Sequence, residues 1–295
     1  MTILDRARRL YMLVPALLAA ALAAPAHART PAAGPAQLWY SEQFVVHSNI
    51  VGRDFLIQVG LPLKPMPGKS PALFLLDGTA SFALAQTMLS LDGFAGTFEP
   101  AFVIGIGYPV QTKAEWDRLR QIDLTHAPVP SMMGGPAPPP GSSGGGAAFE
   151  RFLVEELRPM IEARYRTDPH RAILAGHSYG GLFAARVLLD HPTEFDAYLI
   201  GSPSVWADAV LLAKAKGFVA PTRTRVFIGV GAEEALGFDD QFHMVGNTGT
   251  LAALLTGHES RLDLKFEIFP GEGHVGSIPV LLEHGFHFLL PPAAD

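Results

Sequence analysis

The chain has 295 residues, 48% of them hydrophobic, with 22 Lys and Arg against 28 Asp and Glu and no Cys. A formal charge of −6 leaves no basic surplus to neutralise phosphates, which argues against a nucleic-acid partner. The missing cysteines exclude disulfides, thiolate metal sites and a cysteine nucleophile. At the start of the chain, Arg6, Arg8 and Arg9 precede an apolar run from Leu10 to Ala24, and Ala26-His27-Ala28 has the small-x-small pattern of a cleavage site. Residues 1–28 are therefore expected to be a secretory signal peptide, and the mature chain, 29–295, to be periplasmic or secreted and free of the membrane. The run is short for a bilayer core of about 30 Å, which weighs against an uncleaved anchor.

Two strands are expected next, over Phe44–Ile50 and Asp54–Leu61, the second alternating Phe55, Ile57 and Val59 on one face. Short continuous apolar runs follow at Ala72–Leu76, Ala101–Ile104, Ala172–Leu174, Tyr198–Ile200, Arg225–Val230 and Leu264–Phe269. Runs of that kind suit strands buried on both faces of a parallel sheet. Between them lie helical stripes, one of Phe149, Phe152, Leu153, Leu157 and Ile161, another of Leu251, Leu254 and Leu255, and Ile278–Leu289 closes the chain. Alternation of strands and helices predicts one doubly wound α/β domain with a mostly parallel central sheet and helices on both faces. Residues 127–148 interrupt the rhythm. This stretch is rich in Pro, Gly and Ser, and is expected to be a flexible loop, either passive or a rim over a pocket.

The pattern Gly-x-Ser-x-Gly occurs twice. The copy at Gly141–Gly145 lies in the low-complexity loop with no strand before it and carries no weight. The copy at Gly176-His177-Ser178-Tyr179-Gly180 follows the strand Ala172–Leu174 and precedes the helix-forming Leu182–Asp190. A serine nucleophile needs such a strand-to-helix bend to lift its hydroxyl clear of the backbone, and flanking glycines give the room. The bend also aims the Tyr179 amide at a developing oxyanion. In enzymes with this bend the acid and then the histidine follow in later loops, which selects His274, directly after the last strand. His177 adjoins the serine, but successive residues on a tight turn point apart, so it reads as a packing residue. His284 and His287 share a helix face and lack a second pair of ligands, so no metal site is expected. The acid belongs after Arg225–Val230, where Glu234 has the preferred offset from Gly231. Glu233 is the second choice, and Asp239 and Asp240 are alternatives that could instead cap a helix starting near Phe242.

Tyr108-Pro109, Leu75-Leu-Asp-Gly78, the run GHSYGGLF from Gly176 to Phe183, and Ser202-Pro203-Ser204-x-Trp206 together resemble the esterase D-like branch of the α/β-hydrolases, nearest its periplasmic siderophore (enterochelin-type) esterase-like group. The resemblance covers nearly all of residues 29–295. It implies the α/β-hydrolase fold and a second oxyanion donor just after Leu-Leu-Asp-Gly, namely the amide of Gly78 or Thr79. It also implies that Arg120, in an Arg-x-x-Asp-x-Thr segment, lies near the substrate. The activity so implied is a serine ester hydrolase forming an acyl-enzyme with Ser178, needing no metal or organic cofactor and acting on a small-molecule ester. A siderophore-type trilactone is the first substrate class; a short-chain or phenolic carboxylic ester is the alternative. A non-catalytic binding module on the same scaffold is the rival from another class. Oligomeric state is not readable from the sequence.

Overall fold

The computed structural model describes residues 37–64, 68–131, 136, 138–236, 240–256 and 261–292. The expected signal peptide, the candidate acid Asp239 and part of the 127–148 loop lie outside the described residues.

Eight strands form one sheet: β1 (Ser41–Ser48), β2 (Arg53–Gly60), β3 (Ser70–Leu75), β4 (Phe102–Gly107), β5 (Thr167–His177), β6 (Ala197–Gly201), β7 (Thr224–Gly231) and β8 (Leu262–Phe269). Their order is β1-β2-β4-β3-β5-β6-β7-β8. β1 and β2 pair antiparallel with each other, as do β2 and β4; all other pairs are parallel. The helices are α1 (Gly78–Ala95), α2 (Lys113–Asp123), α3 (Gly146–Arg151), α4 (Arg158–Arg164), α5 (Tyr179–Asp190), α6 (Leu211–Lys216), α7 (Met244–Thr256) and α8 (Ser277–Leu289). A π-helical turn, Phe152–Leu157, joins α3 to α4. Every one of these elements falls within the compact unit Leu38–Asp295. Among the described residues, no helix is long and apolar enough to cross a membrane.

Burial on both faces explains the continuous apolar runs of β3 to β7. Leu264–Phe269, by contrast, lies in the edge strand β8 and is mostly half-buried, with Ile268 45% exposed, because no strand covers its outer side. In β3, β4 and β6 every residue is buried, and successive side chains go to opposite layers. Leu73, Val103, Ile173, Leu199 and Phe227 pack with Phe82 and Leu89 of α1 and Leu281 and Phe286 of α8. Phe74, Ile104, Leu174, Tyr198 and Ile228 pack in the other layer with Phe149, Leu157, Leu182 and Leu251. Both helix layers thus cover the sheet, and the active candidates are carried to its parallel strands' C-terminal edge. On the second layer, Phe55 of β2 stacks on Phe152 at 4.4 Å between ring centroids and touches Phe149 at 5.4 Å. Burying each such ring stabilises the fold by about 2–3 kcal/mol.

Two elements depart from the sequence expectation, and a third, α1, has no counterpart in it. β5 begins at Thr167 rather than Ala172, because Thr167 pairs with Ser70 of β3 and a register shift then passes over the residues before Ala172. The loop ends sooner than residue 148. Gly145 and Gly146 donate to the carbonyls of Ile122 and Thr125, both at 2.8 Å, and α3 starts there. Helix α1 gives no clear stripe in the sequence because it is apolar nearly all round. Phe82, Ala85 and Leu89 are buried, whereas Leu91 and Phe94 are 62% and 68% exposed.

Candidate active site

β5 ends at His177 and α5 begins at Tyr179, which leaves Ser178 alone on the bend with φ 61° and ψ −119°. A non-glycine residue is costly there, so the surroundings must impose it. Ser178 N donates to Gly201 O at 3.0 Å, and Leu182 N and Ser204 N donate to Ser178 O at 2.9 and 3.1 Å. The turn is closed tightly enough that a Cβ on Gly176 would come 2.4 Å from the Gly180 carbonyl carbon. The second crowded glycine is Gly181, whose Cβ would meet Gly201 O at 2.3 Å; Gly180 itself has ordinary room. The other copy of the pattern sits in a loop turn, where Ser142 Oγ donates to Pro139 O.

The loop after β7 supplies the carboxylate. Glu234 is fully buried. Its Oε1 accepts from Gly231 N at 2.9 Å and from Ser202 Oγ at 2.6 Å, and its Oε2 faces His274 Nδ1 at 2.6 Å. Glu233 is exposed, and so is Asp240. A carboxylate facing Nδ1 favours the tautomer with the proton there, which leaves the Nε2 lone pair free. Ser178 and His274 line one cleft of about 400 Å³ with Asp77, Trp116 and Arg120. In the hydrogen bonds of the described residues, Ser178 Oγ is partnered by Ser204 Oγ at 3.3 Å and not by the imidazole.

A family model described as putative esterase matches residues 48–245. The chain belongs to the putative esterase family. The ferri-bacillibactin esterase BesA of Bacillus subtilis is 32% identical over 267 residues, covering 85% of this chain and 90% of that protein. Among solved structures, the BES protein of Bacillus cereus aligns with a TM-score of 0.76 at 29% identity, over 88% of this chain and 99% of its own. The siderophore hydrolase EstB of Aspergillus nidulans aligns at 0.75 and 28%, over 89% and 100%. The siderophore-esterase-like resemblance and the α/β-hydrolase fold hold.

In this member of the esterase family the remaining candidates separate. Tyr179 heads α5 beside the serine, where the first amides of a helix have no intrahelical acceptor. Gly78 is buried, and a Cβ there would lie 2.6 Å from the Gly105 carbonyl carbon of β4. Thr79 lines an adjoining depression of about 290 Å³ with Val110 and Trp116 rather than the Ser178 cleft. Arg120 lines the cleft, and its Nε and Nη2 donate to Asp77 Oδ1 and Oδ2 at 2.9 and 2.6 Å. The other polar residues of Arg-x-x-Asp-x-Thr lock local structure: Asp123 pairs with Arg53 at 2.6 Å, and Thr125 Oγ1 bonds Gln121 O and Gly144 N.

His177 lines the same cleft and packs against His274. Its Nε2 meets Ser277 Oγ at 3.2 Å and its ring lies 4.6 Å from that of His274. Burial among protein atoms, with His274 and Arg120 nearby, pushes its pKa well below the usual 6.5. His284 pairs with Glu267 and His287 with Glu283, and no group of three candidate metal ligands occurs among the described residues. Sequence reasoning missed the roles of Ser202, Ser204 and Asp77. Ser202 and Ser204 sit in Ser-Pro-Ser and Asp77 in Leu-Leu-Asp-Gly, yet only the fold brings these segments beside Ser178. Asp77 and Ser202, like Ser178, hold positive φ (53° and 36°) just past the ends of β3 and β6.

Proposed function

We propose that this chain is a serine ester hydrolase working through an acyl-enzyme, with siderophore-type esters as its substrates. Ser178 is the nucleophile, His274 the base and Glu234 the residue that fixes the imidazole. After a side-chain turn away from Ser204, Ser178 Oγ gives its proton to His274 Nε2 as it attacks the ester carbonyl. The amides of Tyr179 and of Gly78 or Thr79 hold the oxyanion. His274 then protonates the departing alcohol, and water, activated by the same ring, releases the acid. The observation that carries this reading is the buried Glu234 carboxylate against His274 Nδ1 in the cleft that also holds the bent Ser178. The similarity to the ferri-bacillibactin esterase BesA of Bacillus subtilis and the siderophore hydrolase EstB of Aspergillus nidulans supports the substrate class. The apolar side chains of Ala80, Ile278 and Leu281 in the same cleft favour a second substrate reading, a short-chain or phenolic carboxylic ester.

Ser178→Ala should lower hydrolysis of p-nitrophenyl butyrate by at least ~10⁴-fold and abolish labelling by a fluorophosphonate. Undiminished turnover in the variant would overturn the assignment, and an unlabelled wild type would favour a binding module. Turnover of a tricatechol trilactone against simple acyl esters separates the two substrate readings. The chain is also proposed to act after export, in the periplasm or outside the cell.

A further inference from the structure

Asp77 is the residue that sets where α1 begins. Its carbonyl accepts from Ala80 N at 2.9 Å and Ser81 N at 3.1 Å, and its own φ is 53°. Gly78 and Thr79 stand between these anchors, so any shift of Asp77 moves their amides. A left-handed aspartate survives only where its surroundings hold it. What holds this one comes from α2: Arg120 grips both carboxylate oxygens, with the two side chains only 12% and 9% exposed. The guanidinium lies 4.7 Å from the Trp116 ring centroid and 5.3 Å from that of Tyr179. Two of its nitrogens are closed on a carboxylate and its carbon sits close to two aromatic rings. Such an arginine is committed within the protein rather than held open for a substrate anion.

We propose that Arg120 is a positioning residue, bracing the Asp77 corner against Tyr179 and thereby holding together the two segments whose amides bind the oxyanion. This rests on the serine-hydrolase reading above. Displacing an oxyanion donor weakens transition-state binding and leaves ground-state binding nearly untouched, so the brace acts on kcat.

The test uses the whole protein and p-nitrophenyl acetate, a small neutral ester with no negative charge for an arginine to hold. Arg120→Ala should lower kcat about 10²-fold with KM within about 3-fold. Asp77→Asn should lower kcat in the same sense, and Arg120→Lys should fall between wild type and Arg120→Ala, since an ammonium cannot reproduce the paired grip. The double variant Asp77→Asn/Arg120→Gln carries no unpaired buried charge, so it keeps the test alive if the single variants unfold. Its kcat, counted per fluorophosphonate-labelled site, should be no lower than that of Arg120→Ala, the two residues acting as one unit. The proposal is overturned if Arg120→Ala keeps wild-type kcat on the neutral ester and loses only KM towards catecholate esters. Losses of Asp77→Asn and of Arg120→Gln alone that add up in the double variant would overturn it too. Failure of the underlying reading looks different, because a wild type that hydrolyses no ester and takes no label has no oxyanion to bind.

Discussion

His177, beside the proposed nucleophile, shows how a buried neighbour of the site can set the pH dependence of stability. Its ring is wedged against His274 and Ser277, and burial, with His274 and Arg120 close by, favours the neutral form. The folded protein therefore binds fewer protons at this residue than the unfolded chain does. Stability contributed by neutral His177 is complete above the unfolded pKa of about 6.5 and is lost as the pH falls below it, by up to about 1.4 kcal/mol per pH unit. His177→Gln should remove that slope. Chemical unfolding of both proteins between pH 7.5 and 5 should show the variant gaining on the wild type as pH falls, and a constant difference would refute this account. Glu234 is the complementary case. The offset from Gly231 pointed to it in sequence, but only the fold reveals that Ser202 Oγ and Gly231 N occupy one oxygen and leave the other for His274.

At the scale of elements, the bend between β5 and α5 decides whether Ser178 can be presented at all. The strand's last turn passes so close to the helix start that a Cβ at Gly176 would lie 2.4 Å from backbone, which no rotamer can relieve. Gly176→Ala should destabilise the protein by about 2–4 kcal/mol and cut ester hydrolysis with it. Gly180→Ala, whose Cβ would meet Leu76 Cβ at 3.4 Å, should cost under about 1 kcal/mol. Equal melting temperatures for the two variants would contradict this asymmetry. The bend was legible because its strand, glycines and helix are adjacent in sequence. Helix α1 was not, since its nearly uniform apolar character hides which side faces the sheet.

For the whole molecule, the parallel order β3-β5-β6-β7-β8 brings the ends of β5 and β7 and the loop after β8 to one edge, where a doubly wound sheet places its ligand site. The compact unit begins at Leu38, downstream of the expected cleavage site after Ala28. On the proposal that the chain is exported with cleavage after Ala28, the mature protein should begin at Arg29, which N-terminal sequencing checks. Recovery of the intact N-terminus in a membrane fraction would count against the signal peptide and for an anchor.

Local order determined what the chain alone could disclose: buried parallel strands from continuous apolar runs, the proposed nucleophile's bend from a strand-glycine-helix succession, and the candidate histidine from its place after the last strand. These features depend on neighbours within a few residues, so they survive in one dimension. The partners of each group were decided only in three. Arg120 meets Asp77 43 residues away, and Ser202 meets Glu234 32 residues away, because strand order, not sequence distance, governs which loops share an edge. A hydrogen bond records the meeting of two segments, and neither segment carries the other's address.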